Sequence, residues 1–122
     1  MAKENALSND ILDHLVGNAT WTSPAPIHIA LSDTGTEVTT GNAARVEVPD
    51  TDWEAAADGS LANSAVITFQ EGGGDANVDG FQVWDAATGG TLLRTGTLTE
   101  SFTWGSNVTP EFAVGACTLS ES

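Results

Sequence analysis

Short apolar runs with a period of two, set between clusters of Gly, Asn, Asp and Thr, govern what this chain can fold into. In IHIALS the residues Ile27, Ile29 and Leu31 take one face of an extended segment, and His28, Ala30 and Ser32 take the other. The alternation returns in ARVEV (Ala44, Val46, Val48), AVITF (Ala65, Ile67, Phe69), GFQVW (Phe81, Val83), LLRTGTLT and EFAVGACTL (Phe112, Val114, Ala116). Each run is expected to form a half-buried strand. Parallel strands would need crossover connections of about a dozen residues or more, and the segments between these runs leave no room for such helices. The pattern therefore predicts an all-β chain, an antiparallel β-sandwich of jelly-roll type. DAATGG at residues 85–90 reads as a hairpin connection, in which Asp85 accepts from backbone amides and Gly89 or Gly90 takes positive φ.

One segment has helical period instead. In ENALSNDILDHLVG the residues Leu7, Ile11, Leu12 and Leu15 fall on one stripe, Asn5 can cap the start, and Gly17 can close the end in a left-handed conformation. A short N-terminal amphipathic helix is expected over residues 5–17, ended before the prolines of TSPAP, with strands over 26–119. No low-complexity spacer divides the chain, so 1–122 is expected to be a single domain. The helical stripe is available to seal one end of the sandwich or to bury on a neighbouring subunit. With 40% hydrophobic residues, many of them Ala, the core is expected to be thin and self-association a natural supplement.

Charge narrows the partners. Seventeen Asp and Glu stand against 3 Lys and Arg, a formal net charge of -14, and they are dispersed along the chain instead of gathered in one acidic tail. Nucleic-acid binding rests on Lys and Arg displacing counterions, so no nucleic-acid partner is expected. The N-terminus lacks the apolar core of a signal peptide, and no apolar run is long enough to span a bilayer, so a soluble protein without membrane contact is expected. Self-repulsion of this size is relieved when salt shortens the Debye length to about 3 Å at 1 M. That points to a halophilic origin, beside the plainer reading of an ordinary acidic protein.

The words of the sequence also carry a resemblance. NALSNDILDH, IALSDTGTEVTTGNAAR, ANSAVITF and DAATGGTLLRTGTLT resemble, over nearly the whole chain, a family of small tailed-virus structural proteins. Its members have an NALLNH-like helix, a VALST…TEVSGGSYAR segment, an SN…ITF strand and a DAATGG-LL-…-LT hairpin, and are commonly labelled tail-fibre or virion proteins. The resemblance implies a virion component and leaves its location on the particle open; a place on the outer surface, after synthesis in the host cytoplasm, is the expectation added by the acidic charge. With the charge, the resemblance suggests a tailed virus of a haloarchaeon. Where the family has an aromatic before the arginine, this chain has Ala44-Arg45. A capsid decoration or turret subunit on the head is the first expectation, since the chain is short for a shaft and a receptor tip, and its acidity suits the side of the shell away from DNA. A tail-fibre or baseplate subunit is the alternative, and a glycan-binding module the third. The expected partners are further copies of the chain in a trimer or pentamer, other virion proteins such as the major capsid protein, and a host-surface glycan or S-layer.

Three groups of side chains are candidate sites. Asp75, Asn77 and Asp79, followed by Gly80, begin like a calcium loop, with Glu71 nearby. The twelfth position, where such a loop places a bidentate Glu, is Ala86, and the flanks read as strands, so a solvated turn is the competing reading and calcium the one cofactor considered. Leu7, Ile11, Leu15 and Trp84 are candidate interface residues. Trp84 must point away from a core that holds Phe81 and Val83, and it requires a partner there. The four tryptophans (Trp21, Trp53, Trp84, Trp104) could otherwise stack on sugars. His14, His28 and the lone Cys117 have no ligands or catalytic partners at a recognisable spacing, so no zinc site and no enzymatic activity are expected, and Cys117 can form no internal disulfide. A direct check on the charge reading is thermal melting. The melting temperature is expected to rise as NaCl or KCl approaches molar concentration, and a flat or falling series would remove the halophilic reading.

Overall fold

The computed structural model describes residues 2–20, 22–24, 26–41 and 43–120. Every strand pairing among them is antiparallel. The larger layer is a six-stranded sheet. Its core is β2 (Ile27–Asp33), β7 (Ala76–Trp84) and β8 (Leu92–Trp104), flanked by β1 (Ala2–Lys3) on β8 and by β3 (Thr36–Glu37) and β4 (Val46–Val48) on β2. Two short ladders form the facing layer: β5 (Ser60–Ala62) with β10 (Thr118–Ser120), and β6 (Ile67–Thr68) with β9 (Glu111–Phe112). The chain is an all-β sandwich with one short helix, α1 (Asn5–Leu15), near its start.

Register explains which residues meet. Ile29 pairs with Val83 and Leu31 with Phe81, so the alternation read from IHIALS and GFQVW puts these four on one face, where all are buried. Across the layers the core is held by edge-to-face rings: Trp104 on Phe69 at 5.9 Å between centroids, Phe69 on Phe112 at 6.1 Å, and Phe112 on Phe81 at 5.6 Å. Phe81 needs room on β8, and Gly96 opposite it supplies that room, because a side chain at 96 would overlap the ring.

The structure corrects several local expectations. β2 is not half-buried: Ala30 and Ser32 on its other face are 1% and 3% exposed, because the β2–β3 hairpin tip returns over that face, where Gly35 O accepts from Gln82 Nε2 at 3.1 Å. The helix cap falls on Glu4, without a side-chain bond, and not on Asn5. The Glu4 N–H is held by Leu93 O of β8 at 2.8 Å, which keeps the chain extended up to the first helical residue. Gly17 does take the left-handed conformation, at φ 82°, two residues beyond the last helical one. EFAVGACTL is not one strand. Residues 113–116 turn between β9 and β10, with Gly115 at φ 82°, so Val114 and Ala116 are exposed while Phe112 and Cys117 are buried.

Asn63 makes that turn. Fully buried, it donates Nδ2 to the carbonyls of Ala65 (2.8 Å) and Ala113 (3.0 Å), and its Oδ1 accepts from the Cys117 N–H at 2.9 Å. Its backbone joins Cys117 O and the Gly115 N–H as well. One amide thus satisfies the polar groups of a buried corner that no ladder pairs. Asn63→Ala would leave two carbonyls and an amide unpaired, and the expected loss is about 3 kcal/mol in urea unfolding. A loss under about 0.5 kcal/mol would show that water replaces the side chain there.

Candidate functional site

A heavily engaged polar group is the Arg45 guanidinium, between β3 and β4. Nε and Nη2 meet the two carboxylate oxygens of Glu37, each at 2.9 Å, in a bidentate pair. Nη1 donates at 2.8 Å to both Ala86 O and Gly89 O, in the turn that joins β7 to β8. The guanidinium carbon lies 3.9 Å from the centre of the Trp84 ring, and the arginine side chain is only 7% exposed. Trp84 donates Nε1 to Gln82 Oε1 at 3.0 Å. The partner required by the outward tryptophan is therefore found within the chain, on its own sheet face.

Both hairpins that this clamp joins are built by local rules. Thr34 (φ 47°) and Gly35 (φ 86°) form a two-residue connection with both φ positive, the geometry that suits the strand twist. In the DAATGG turn, Gly89 (φ 61°) and Gly90 (φ 74°) both take positive φ, and Asp85 Oδ1 accepts the Thr91 N–H at 2.7 Å, as the sequence predicted for this connection.

Of Asp75, Asn77 and Asp79, only Asp75 is a loop residue. Asn77 and Asp79 lie on β7, which begins at Ala76, and the polar spacing of DANVD is a strand period with Val78 on the core side. Asp79 Oδ1 accepts the Thr34 N–H at 3.0 Å, and Asn77 Nδ2 donates to Asp33 Oδ1 at 3.3 Å, so both brace the β2–β3 hairpin. Glu71 turns to a different segment, where Oε1 accepts the Asn107 N–H at 2.9 Å. Among the described residues no three Asp, Glu, His or Cys side chains gather in a way that could hold a metal ion.

The interface candidates divide. Leu7 is 5% exposed within the core and Ile11 packs against it, so the first two turns of α1 seal the sandwich against β8. Leu15, with Leu12 and Val16, is left at the surface at 75%, 57% and 68% exposure. Trp104 and Trp53 belong to or pack on the core, while Trp21 lies outside the described residues. His28 stands on β2 opposite Trp84, and its Nδ1 is buried without a hydrogen-bond partner. Cys117 lies in the core, where burial pushes its thiol up to about 12, so it stays protonated and inert at ordinary pH. Among the described residues no helix is long and apolar enough to cross a membrane.

Sequence reading missed Arg45, Glu37, Gln82 and Asn63 as organising residues. A signal was present for the first: with 3 Lys and Arg in 122 residues, a mid-chain arginine beside a glutamate-bearing hairpin is poorly explained as solvent decoration. A small antiparallel sandwich, braced by buried polar clamps and acidic outside, is the class of protein that these features define, and residues 2–120 match the family described as Podophage GP4 fiber I protein gp80. The chain belongs to that family, a phage fibre protein family, and is a virion component. No curated protein matches it. The clamp makes a quantitative expectation. Arg45→Lys loses the bidentate pair, one carbonyl bond and the ring stacking, and should cost about 2 kcal/mol in urea unfolding, with Arg45→Ala costing about 3 kcal/mol or more. Wild-type stability in the lysine variant would show that the guanidinium geometry is immaterial.

Proposed function

We propose that this chain is a non-enzymatic structural subunit on the exterior of a tailed virion, assembled into a fibre. Membership of a phage fibre family over residues 2–120 is the observation that carries this reading. The net charge of -14 supports the outward placement, since such a surface gains nothing from packaged DNA. Arg45, one of only 3 Lys and Arg, is spent inside the fold on Glu37 and two carbonyls. The same acidity supports a virus of a halophilic host.

Placement on the head, as a capsid decoration or turret subunit bound to the major capsid protein, is the second reading, favoured by the dispersed acidity that suits an outer shell face. In both readings the chain forms a cyclic homo-oligomer, a trimer or a pentamer, and the exposed Leu12, Leu15 and Val16 at the end of α1 are the apolar surface available to a neighbouring virion protein. The test is an electron cryo-microscopy map of particles decorated with Fab fragments raised against this chain. Density on fibres, with a trimeric or pentameric mass for the isolated protein in high salt, is the expected result. Density on the capsid lattice would transfer the assignment to the head, and absence of Fab from intact particles would overturn exterior placement.

A further inference from the structure

On the face of the large sheet turned away from the core, beside the β2–β3 tip, lies a cleft of ≈ 440 Å³. Its floor includes one cross-strand row: Ser32 on β2 pairs with Gly80 on β7, and Gly80 pairs with Thr97 on β8. Gly80 is buried there, and a Cβ on it would come within 2.6 Å of Gly96 O and 2.9 Å of Ser32 Oγ, so only glycine fits beneath these two oxygens.

Among the described residues the lining is rich in oxygen and holds no cationic group. Ser32 is 3% exposed, yet its hydroxyl lines the cleft and has no hydrogen-bond partner among the described residues. A hydroxyl so placed awaits a partner from outside the chain. Asp79, also on the lining, gives Oδ1 to the Thr34 N–H and keeps its second oxygen free of protein donors among the described residues. Thr95 and Thr97 add hydroxyls on the β8 side.

Serine and threonine hydroxyls both donate and accept, while a carboxylate only accepts. That mixture suits a ligand bearing several hydroxyl groups, each also able to do both. The volume falls in the range of about 300–1,000 Å³ usual for small-molecule sites. Asp79 and the net charge of -14 oppose carboxylated or phosphorylated ligands and favour neutral or aminated ones.

We propose that this cleft is a saccharide subsite, which takes one neutral or amino-bearing pyranose with Asp79, Ser32 and Thr97 on its hydroxyl groups. The site goes beyond the structural role above and does not depend on whether the subunit stands on a fibre or on the head.

Its test is a ¹⁵N–¹H NMR titration of the full chain at constant ionic strength, with methyl glucoside, glucosamine, N-acetylneuraminate and calcium chloride as separate probes. Methyl glucoside and glucosamine should shift the amides of Thr34, Gly35, Gly80 and Gly96 in a saturable way, and N-acetylneuraminate should leave them unmoved. Ser32→Ala, with an otherwise native spectrum, should weaken both sugars about tenfold. Asp79→Asn retains an acceptor for Thr34 and should weaken glucosamine more than methyl glucoside. Sugar-induced shifts confined to other residues, no saturable response to either sugar, or a calcium response at these amides without a sugar response would each overturn the assignment.

Discussion

Two hairpins remote in sequence would each leave polar groups unpaired if Arg45 were not between them. The β7–β8 turn presents the carbonyls of Ala86 and Gly89 inward, β3 presents the carboxylate of Glu37, and β7 presents the open face of Trp84. A planar cation with five donors in a fixed fork can answer all three at once; a lysine cannot. The ion pair by itself says little about net stability, since desolvating two charges offsets much of their attraction. Its consequence is geometric. Only one placement of the two hairpin tips serves the fork, and that placement sets the edge of the large sheet and brings the 85–90 turn against it.

Recurrent words of the sequence acquire a physical reason from this contact. Glu37 of TEV and Arg45 of AR are 8 residues apart and Ala86 of DAATGG stands 41 residues beyond Arg45, yet the three words meet at one guanidinium. Where the family pattern TEVSGGSYAR has its aromatic, Ala43 packs against the core here, and the ring against the guanidinium comes from Trp84 on the neighbouring hairpin.

Much of the large sheet could be read from the chain because its determinants are local. Ile29, Leu31, Phe81 and Val83 share a face through strict alternation, and Gly35, Gly89 and Gly90 mark the turns that bring them together. The misreadings cluster where a distant residue overrides the pattern. Val114 and Ala116 have strand spacing with Phe112, but Asn63 draws the backbone into a turn before the pattern can be used. Val78 and Phe81 are odd neighbours in a period of two, and both face inward because the ladder slips between them: Val78 pairs with Phe102 and Gly80 with Thr97. The DANVD stretch is the instructive case. Asp79 looks like a ligand when the stretch is read as a loop and like a hairpin brace once its place on β7 is known, while Asp75 stays in the loop before the strand. No local feature of the sequence announces that Asp79 reaches across to Thr34.

The seclusion of Cys117 gives the chain a chemically silent background. Its sulfur lies in the core with a protonated thiol, so maleimide or gold reagents applied to the folded protein find nothing to attack. A cysteine introduced at Thr88 of the exposed turn or at Leu15 on the helix would be the sole accessible thiol among the described residues. Each copy in an assembly would then carry one chemical address, and spectroscopic rulers between identical addresses would report symmetry and spacing without removing the native cysteine.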